Sequence, residues 1–133
     1  MQTRLVPIDG DRAFLYIAGQ VSADGDQMLA GRCPDQVPIE EATRRARVCA
    51  TRLLAQIDSA VGLDRVEAIA QMLGYVNSTP DFGEQPKVMN GASELLVQVL
   101  GDAGMHTRAA LGTNALPFNV TVEIAAVAVV RTR

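Results

Sequence analysis

The stretch Val-Thr-Val-Glu-Ile-Ala-Ala-Val-Ala-Val-Val, residues 120–130, decides the fold. Side chains alternate across a strand, so one face of this segment is entirely apolar and the other becomes apolar beyond Glu123. A strand with two apolar faces is buried on both of them. If the helices of the same chain cover only one face, a second copy of the chain must cover the other.

Helical periodicity predicts a long helix before the middle of the chain. Apolar residues recur every three to four positions from Ile39 to Ala60, which is typical of a helix with one buried face. Pro38 suits the first helical position, and Gly62 suits the position that follows the last turn.

A second helix is predicted within residues 82–101. Its apolar stripe begins at Val88. Pro86 indicates that the regular helix starts only at position 86. The remaining apolar runs have the length of strands and occupy residues 4–8, 13–18, 28–30, 66–76 and 107–115. The resulting order, β-β-(β)-α-β-α-β-β, predicts one α+β domain over residues 1–133, with two helices on one face of a sheet.

Composition and charge exclude several classes of protein. The 133 residues are 48% hydrophobic and 20% charged, which is typical of a globular domain. Apolar runs are too short for a membrane span, and the chain does not open with a signal-peptide pattern. Its net charge of −3 and few aromatic residues disfavour nucleic acid as a partner. We therefore interpret Arg44, Arg45, Arg47 and Arg52 as a solvated helix face.

Cysteine and histidine usage argues against disulfide and metal chemistry. Cys33 and Cys49 do not form a disulfide framework, and we expect two free thiols in a reducing compartment, the cytoplasm. His106 is the single histidine, and the spacings of common zinc sites do not occur. We expect neither a metal site nor a cofactor.

Four segments, spread in order over nearly the whole chain, carry a resemblance to a known family. They are Phe-Leu-Tyr-Ile-Ala-Gly-Gln (14–20), Asp-Phe (81–82), Pro-Lys-Val-Met-Asn-Gly-Ala-Ser-Glu-Leu-Leu (86–96) and Leu-Pro-Phe-Asn-Val-Thr-Val-Glu-Ile-Ala-Ala-Val-Ala (116–128). Together they resemble the Rid/YjgF family of reactive-intermediate deaminases, also called endoribonuclease L-PSP. Residues 86–96 are similar to its subgroup called endoribonuclease L-PSP/chorismate mutase-like. The resemblance implies a chorismate-mutase-like fold and a homotrimeric barrel, with ligand clefts between subunits.

The resemblance also implies site residues. The family arginine that lies eight residues before a Leu-Pro pair is Arg108, and the glutamate six residues past that proline is Glu123. The family glycine corresponds to Gly19, and an asparagine of the second helix corresponds to Asn90. These positions would form a site for a small carboxylate ligand.

Three positions depart from the family pattern. Leu5 stands where the deaminases have a tyrosine, Ala18 where they often have a serine, and Ala110 where many have a cysteine. These replacements would make the ligand pocket more apolar. We therefore expect one of two outcomes: the protein uses a smaller or more hydrophobic substrate, or it has lost the family activity.

The retained residue types suit hydrolysis of reactive imines and enamines. The guanidinium of Arg108 can grip a substrate carboxylate with two parallel hydrogen bonds, and Glu123 can position the attacking water. The implied activity converts a 2-imino acid to a 2-oxo acid and ammonia without metal or cofactor. The alternative is a non-catalytic trimer that binds a small carboxylate; a ribonuclease fits the acidic composition less well.

Each site residue also has a structural interpretation. Arg108 and Glu123 could form an ion pair across adjacent strands, and Asn90 could contact only solvent or a loop. Gly19 could serve strand packing alone. We interpret His106 as a surface residue rather than a catalytic base, because the sequence places no serine or cysteine beside it.

Overall fold

The computed structural model describes residues 1–133, which form seven strands and two α-helices. The strands are β1 (Thr3–Pro7), β2 (Arg12–Val21), β3 (Ala23–Asp24), β4 (Gln27–Met28), β5 (Val66–Asn77), β6 (Thr107–Thr113) and β7 (Val122–Arg131). The helices are α1 (Ile39–Ala60) and α2 (Gln85–Leu100). Short 3-10 turns lie at Leu63–Arg65, Gly101–Gly104 and Pro117–Asn119.

Five strands form one mixed sheet in the order β1-β2-β7-β5-β6, and β3 and β4 form a separate small hairpin. Strands β5 and β6 run parallel, whereas every other neighbouring pair in the large sheet is antiparallel. Helix α2 makes the crossover that a parallel pair requires. The predicted α+β fold, with two helices on a mixed sheet, is confirmed.

The helices pack side by side against one face of the sheet. The buried stripe of α1 includes Ala46, Cys49 and Leu53, and together with α2 and the sheet it closes a core of 26 buried residues. Gly91 of α2 lies against the backbone of α1, where a Cβ atom would overlap the Thr43 carbonyl. This glycine therefore allows the two helices to approach closely. Neither helix combines the length and hydropathy that a membrane span requires.

Strand β7 lies at the centre of the sheet and has the two apolar faces that its sequence indicates. The side chains that face the helices, from Val122 to Val130, are buried, whereas those between them are half-buried. On the second face, Val127 lies opposite Tyr16 and Val129 lies opposite Phe14 of β2. Phe14 and Tyr16 are 36% and 48% exposed. We call this surface, which no helix covers, the open face.

Most element boundaries agree with the sequence within one or two residues, and the differences have local causes. Strand β2 extends to Val21 rather than position 18, because a bulge between Ile17 and Gln20 carries the pairing past Gly19. The predicted strand at 28–30 is instead the second half of the small hairpin, which ends at Met28.

The final strand begins at Val122 rather than at position 120. Phe118 and Asn119 have φ angles of 57° and 58°, so the chain turns sharply before the strand starts. Val120 pairs instead with Ala30 in an isolated bridge, outside the large sheet.

Candidate functional site

Arg108 lies on β6, at the edge of the sheet, and is held by helix α2. It pairs with Met72 of β5, which is buried under the helices, so both side chains lie on the helix-covered face. Its Nη1 donates to Asn90 Oδ1 at 2.9 Å and to Ser93 Oγ at 3.1 Å. The interpretation that Asn90 contacts only solvent or a loop is therefore wrong.

The rest of the Arg108 guanidinium is available to a ligand. Nη1 uses its two N–H groups on Asn90 and Ser93, whereas Nε and Nη2 donate to no group of the protein. The side chain is exposed and has no carboxylate partner in the chain. The Nε and Nη2 edge is the part of an arginine that forms two parallel hydrogen bonds with a carboxylate. The arrangement therefore leaves free the donor edge whose geometry matches a carboxylate.

His106 extends the hydrogen bonding around Arg108. Its Nε2 lies 2.9 Å from Ser93 Oγ, and its Nδ1 lies 2.6 Å from the carbonyl oxygen of Gly104. A carbonyl only accepts, so Nδ1 donates; in the neutral imidazole Nε2 then accepts a hydrogen bond from the Ser93 hydroxyl. His106 is half-exposed at the surface, but the premise that no serine lies beside it does not hold, because the fold brings Ser93 from α2 to it. We call Arg108, Asn90, Ser93 and His106 the arginine cluster.

A cavity of about 270 Å³ opens beside the arginine cluster. Ser93, His106 and Arg108 form its polar side, and Val97 and Met105 form its apolar side. Val97 is 42% exposed and Met105 is 64% exposed, so the cavity is a surface cleft. A small molecule with one anionic and one apolar part fits this lining.

Glu123 and Gly19 form a second group on the other side of the sheet. Glu123 of β7 lies opposite Tyr75 of β5 and Val21 of β2, and its half-buried side chain lies on the open face. A Cβ atom at Gly19 would overlap the Glu123 carboxylate. The close approach therefore requires glycine at this position, and we call the two residues the glutamate group.

The arginine cluster and the glutamate group are separate within one protomer. Strand β5 lies between the strands that carry Arg108 and Glu123, and the two side chains lie on opposite faces. The interpretation of these residues as an ion pair across adjacent strands is wrong. Its premise fails because β6 pairs with β5 and not with β7.

The three positions that depart from the family pattern lie at different places. Ala110 follows Arg108 on the same face of β6 and packs half-buried against the core. Ala18 lies in the β2 bulge beside Gly19, and its N–H donates to the Gln2 carbonyl at 2.8 Å. Leu5, in β1, is 45% exposed at the opposite edge of the sheet from β6. The structure therefore brings Ala110 to Arg108 and Ala18 to Gly19, but Leu5 to neither.

Both cysteines are buried free thiols. Burial raises the pKa of the Cys49 thiol, and it also raises the pKa of the Cys33 thiol. A thiol with a raised pKa is a poor nucleophile at neutral pH. No three His, Cys, Asp or Glu side chains come together as a possible metal-binding group.

Sequence reasoning missed Ser93, although the chain carries a signal for it. Asn90 and Ser93 are three residues apart on α2, so their side chains lie on the same face of the helix. That spacing places two polar groups beside one neighbour. Only the parallel pairing of β5 with β6 identifies Arg108 and His106 as those neighbours.

Comparison with known proteins agrees with this architecture. Residues 7–130 match the family described as Endoribonuclease L-PSP. Protein TCP17 of Trypanosoma cruzi is 37% identical over 113 residues, which cover 83% of this chain and 71% of that protein.

Two solved structures have the same fold over nearly the whole chain. The Agrobacterium tumefaciens protein Atu1372, whose function is described as unknown, is 36% identical with a TM-score of 0.87, covering 95% of this chain and 81% of that one. A candidate endoribonuclease from Shewanella oneidensis is 26% identical with a TM-score of 0.81, covering 93% and 82%. The family match over residues 7–130 and these relatives show that the chain belongs to the Endoribonuclease L-PSP family, the Rid/YjgF family that its sequence resembles.

Proposed function

We propose that the protein hydrolyses 2-imino acids to 2-oxo acids and ammonia, without metal or cofactor. The observation that carries this proposal is the Arg108 guanidinium, which Asn90 and Ser93 hold on one side and which has no partner on the other. Imines derived from amino acids carry a carboxylate next to the reactive carbon. Arg108 would hold that carboxylate and so fix the position of the carbon–nitrogen double bond.

To hydrolyse such a substrate, the protein needs mainly to hold the imine in place and to position a water molecule beside it. Water adds to the imine carbon, and the resulting tetrahedral adduct expels ammonia and leaves a 2-oxo acid. Glu123 would orient the water, accept a proton from it and return that proton to the nitrogen that leaves as ammonia. Gly19 supports this role because its lack of a side chain leaves room for the Glu123 carboxylate.

The proposal requires an oligomer in which one protomer completes the site of the next, and we propose that it is the homotrimer that the family resemblance implies. Arg108 and Glu123 lie on opposite faces of one sheet, so a small ligand can contact both only if they come from different protomers. The apolar open face, with Phe14, Tyr16 and Val127, supports close packing of subunits. Exposed apolar patches of this kind usually mark an interface, and the family resemblance implies a barrel of three sheets.

The apolar residues at the departing positions shape the expected substrate. Ala110 lies two residues beyond Arg108 on the same face, and Ala18 adjoins Gly19. Both lack the polar side chains that many family deaminases have there. We therefore expect short, apolar 2-imino acids to be better substrates than those with polar side chains, and we expect the reaction to occur in the cytoplasm.

Binding of a small carboxylate without turnover is the second candidate function. The arginine cluster is complete within one protomer and needs neither Glu123 nor a partner to hold a carboxylate. This observation favours a role as a carboxylate-binding module if Glu123 does not reach the ligand. Turnover of an imine separates the two functions.

The experiment measures ammonia release from 2-iminopropanoate that an amino acid oxidase generates in the assay. Wild-type protein should accelerate release, and Arg108→Ala should not. Arg47→Ala is the matched control, because Arg47 is an exposed arginine of α1 whose Nη1 donates only to Gln98. No acceleration by the wild type, together with retained carboxylate binding, would support the binding module and contradict the deaminase.

A further inference from the structure

Ser93 and His106 have the geometry of a serine nucleophile and its base. Ser93 Oγ lies 2.9 Å from His106 Nε2, which is within hydrogen-bond reach for proton transfer. The Gly104 carbonyl accepts from His106 Nδ1 at 2.6 Å and fixes the tautomer that leaves Nε2 free to accept. A backbone carbonyl thus orients the ring, as a carboxylate does in a serine-histidine-aspartate triad.

Arg108 adds a positive charge to this pair. Its Nη1 donates to Ser93 Oγ at 3.1 Å, so a cation stands beside the oxygen that would attack. A positive charge at this position stabilises the negative charge that develops as the Ser93 proton leaves. Because the Nε and Nη2 edge stays unpaired, the same side chain can also hold an anionic group of the substrate.

We infer that Ser93 and His106 form a reactive centre that hydrolyses small esters bearing a carboxylate. The residues that line the cleft indicate this class of substrate. Arg108 binds the carboxylate, Val97 and Met105 contact the apolar part, and the ester carbonyl reaches Ser93. This activity goes beyond the proposed imine hydrolysis, since it uses neither Glu123 nor water held on the open face.

The chemical step has two balanced halves. Ser93 Oγ bonds to the ester carbonyl carbon while its proton passes to His106 Nε2; the carbon–oxygen bond to the alcohol then breaks, and the alcohol leaves with that proton. Water next attacks the acyl-serine, giving its proton to His106. The acid leaves, Ser93 recovers its proton, and no oxidant, metal or cofactor takes part.

Two measurements on the 133-residue protein test the inference. The first treats wild-type protein with a fluorophosphonate, which reacts with activated serines, and maps the modified residue by peptide mass spectrometry. Labelling of Ser93 supports the inference, whereas no labelling, or labelling elsewhere, overturns it. This measurement needs no variant and is independent of how any substitution folds.

The second measurement follows hydrolysis of 4-acetoxybenzoate, with neutral phenyl acetate as the comparison ester. Ser93→Ala and His106→Gln should each lower kcat/KM for 4-acetoxybenzoate by about 100-fold or more. The control is Ser59→Ala, an exposed serine of α1 outside the cleft, which should keep the wild-type rate. The carboxylate-bearing ester should be the better substrate by about tenfold or more, because Arg108 binds its charge. Equal rates for wild type and Ser93→Ala would overturn the inference whatever the fate of imine hydrolysis.

Discussion

Arg108 and Glu123 lie on opposite faces of the same sheet, with β5 between the strands that carry them. Each has its own local support: Asn90 and Ser93 hold the guanidinium, and Gly19 makes room for the carboxylate. The two groups cannot meet within one protomer, so the proposed imine hydrolysis needs them to come from neighbouring protomers.

Replacing Arg108 tests the carboxylate anchor. Arg108→Ala should lower imine hydrolysis, or ligand affinity, by about 30-fold to several thousand-fold, which is the usual cost of losing a charged hydrogen-bonded partner. Arg108→Lys should give an intermediate value, because lysine keeps the charge and loses the planar fork. Circular dichroism and sedimentation should show an unchanged fold and assembly. An unchanged rate in a folded Arg108→Ala protein would show that Arg108 has a structural role and does not bind the substrate.

A methyl group at Gly19 tests the position of Glu123. In Gly19→Ala the new Cβ atom would overlap the Glu123 carboxylate, so that side chain must rotate away. We expect turnover to fall by about tenfold or more, since misplaced catalytic groups lose rate steeply, while the melting temperature changes little. Gly83→Ala is the control, because nothing lies within 4 Å of its added Cβ. Equal turnover in both variants would contradict a role for Glu123.

A charge on the open face tests assembly. Val127→Asp places a carboxylate opposite Tyr16, among apolar neighbours that an interface would bury. We expect the trimer to dissociate, and sedimentation velocity should then report the monomer mass. Val99→Asp, on α2, serves as the control, since Val99 is 47% exposed and lies away from the open face. A wild-type protein that is monomeric at micromolar concentration would refute the trimer directly.

Glu41 makes stability depend on pH in the acid range. Hydrogen bonds from Arg44 and then Arg45 lower the pKa of its carboxyl from 4.5 to about 2. A lowered carboxyl pKa stabilises the folded protein above pH 4.5, and that contribution is lost as the pH falls towards 2. At neutral pH, Glu41→Gln should cost about 1–2 kcal/mol, allowing for screening of a partly exposed pair.

Chemical denaturation at several pH values checks this dependence. The difference between wild type and Glu41→Gln should be constant from pH 7 to about pH 5 and shrink below pH 4.5. The exposed neighbour Glu40, changed to Gln, should show a much smaller difference at every pH. A difference that grows on acidification would contradict the assigned role of Glu41.

Much of the architecture follows from periodicity alone. Residues 120–130 show both apolar faces of the central strand, and Pro38 and Gly62 bracket α1 within two residues. The bulge near Gly19 and the turn at Phe118 escape such reasoning, because each depends on backbone geometry that no hydrophobic pattern records. A strand pattern predicts faces, but it does not predict which strands become neighbours.

Strand order is also why part of the site could not be predicted. The sequence and its family resemblance identify four site residues: Arg108, Asn90, Gly19 and Glu123. In the structure Arg108 contacts Asn90, and Gly19 lies against Glu123. The α2 crossover places β6 beside β5, so that β5 separates Arg108 from Glu123. Only the folded chain displays this crossover. The same crossover brings His106 to Ser93, residues 13 apart that no short motif connects.

Mixing two inactive variants tests the central claim that neighbouring protomers share one active site. Arg108→Ala protomers keep Glu123, and Glu123→Gln protomers keep Arg108, so a mixed trimer can rebuild intact sites between them. After co-refolding at equal amounts, with mixed trimers verified by native mass spectrometry, about one interface in four should hold both groups in a head-to-tail ring. We predict recovery of imine hydrolysis to about a quarter of the wild-type rate. A mixture that forms mixed trimers and yet is no more active than either variant alone would contradict the shared site.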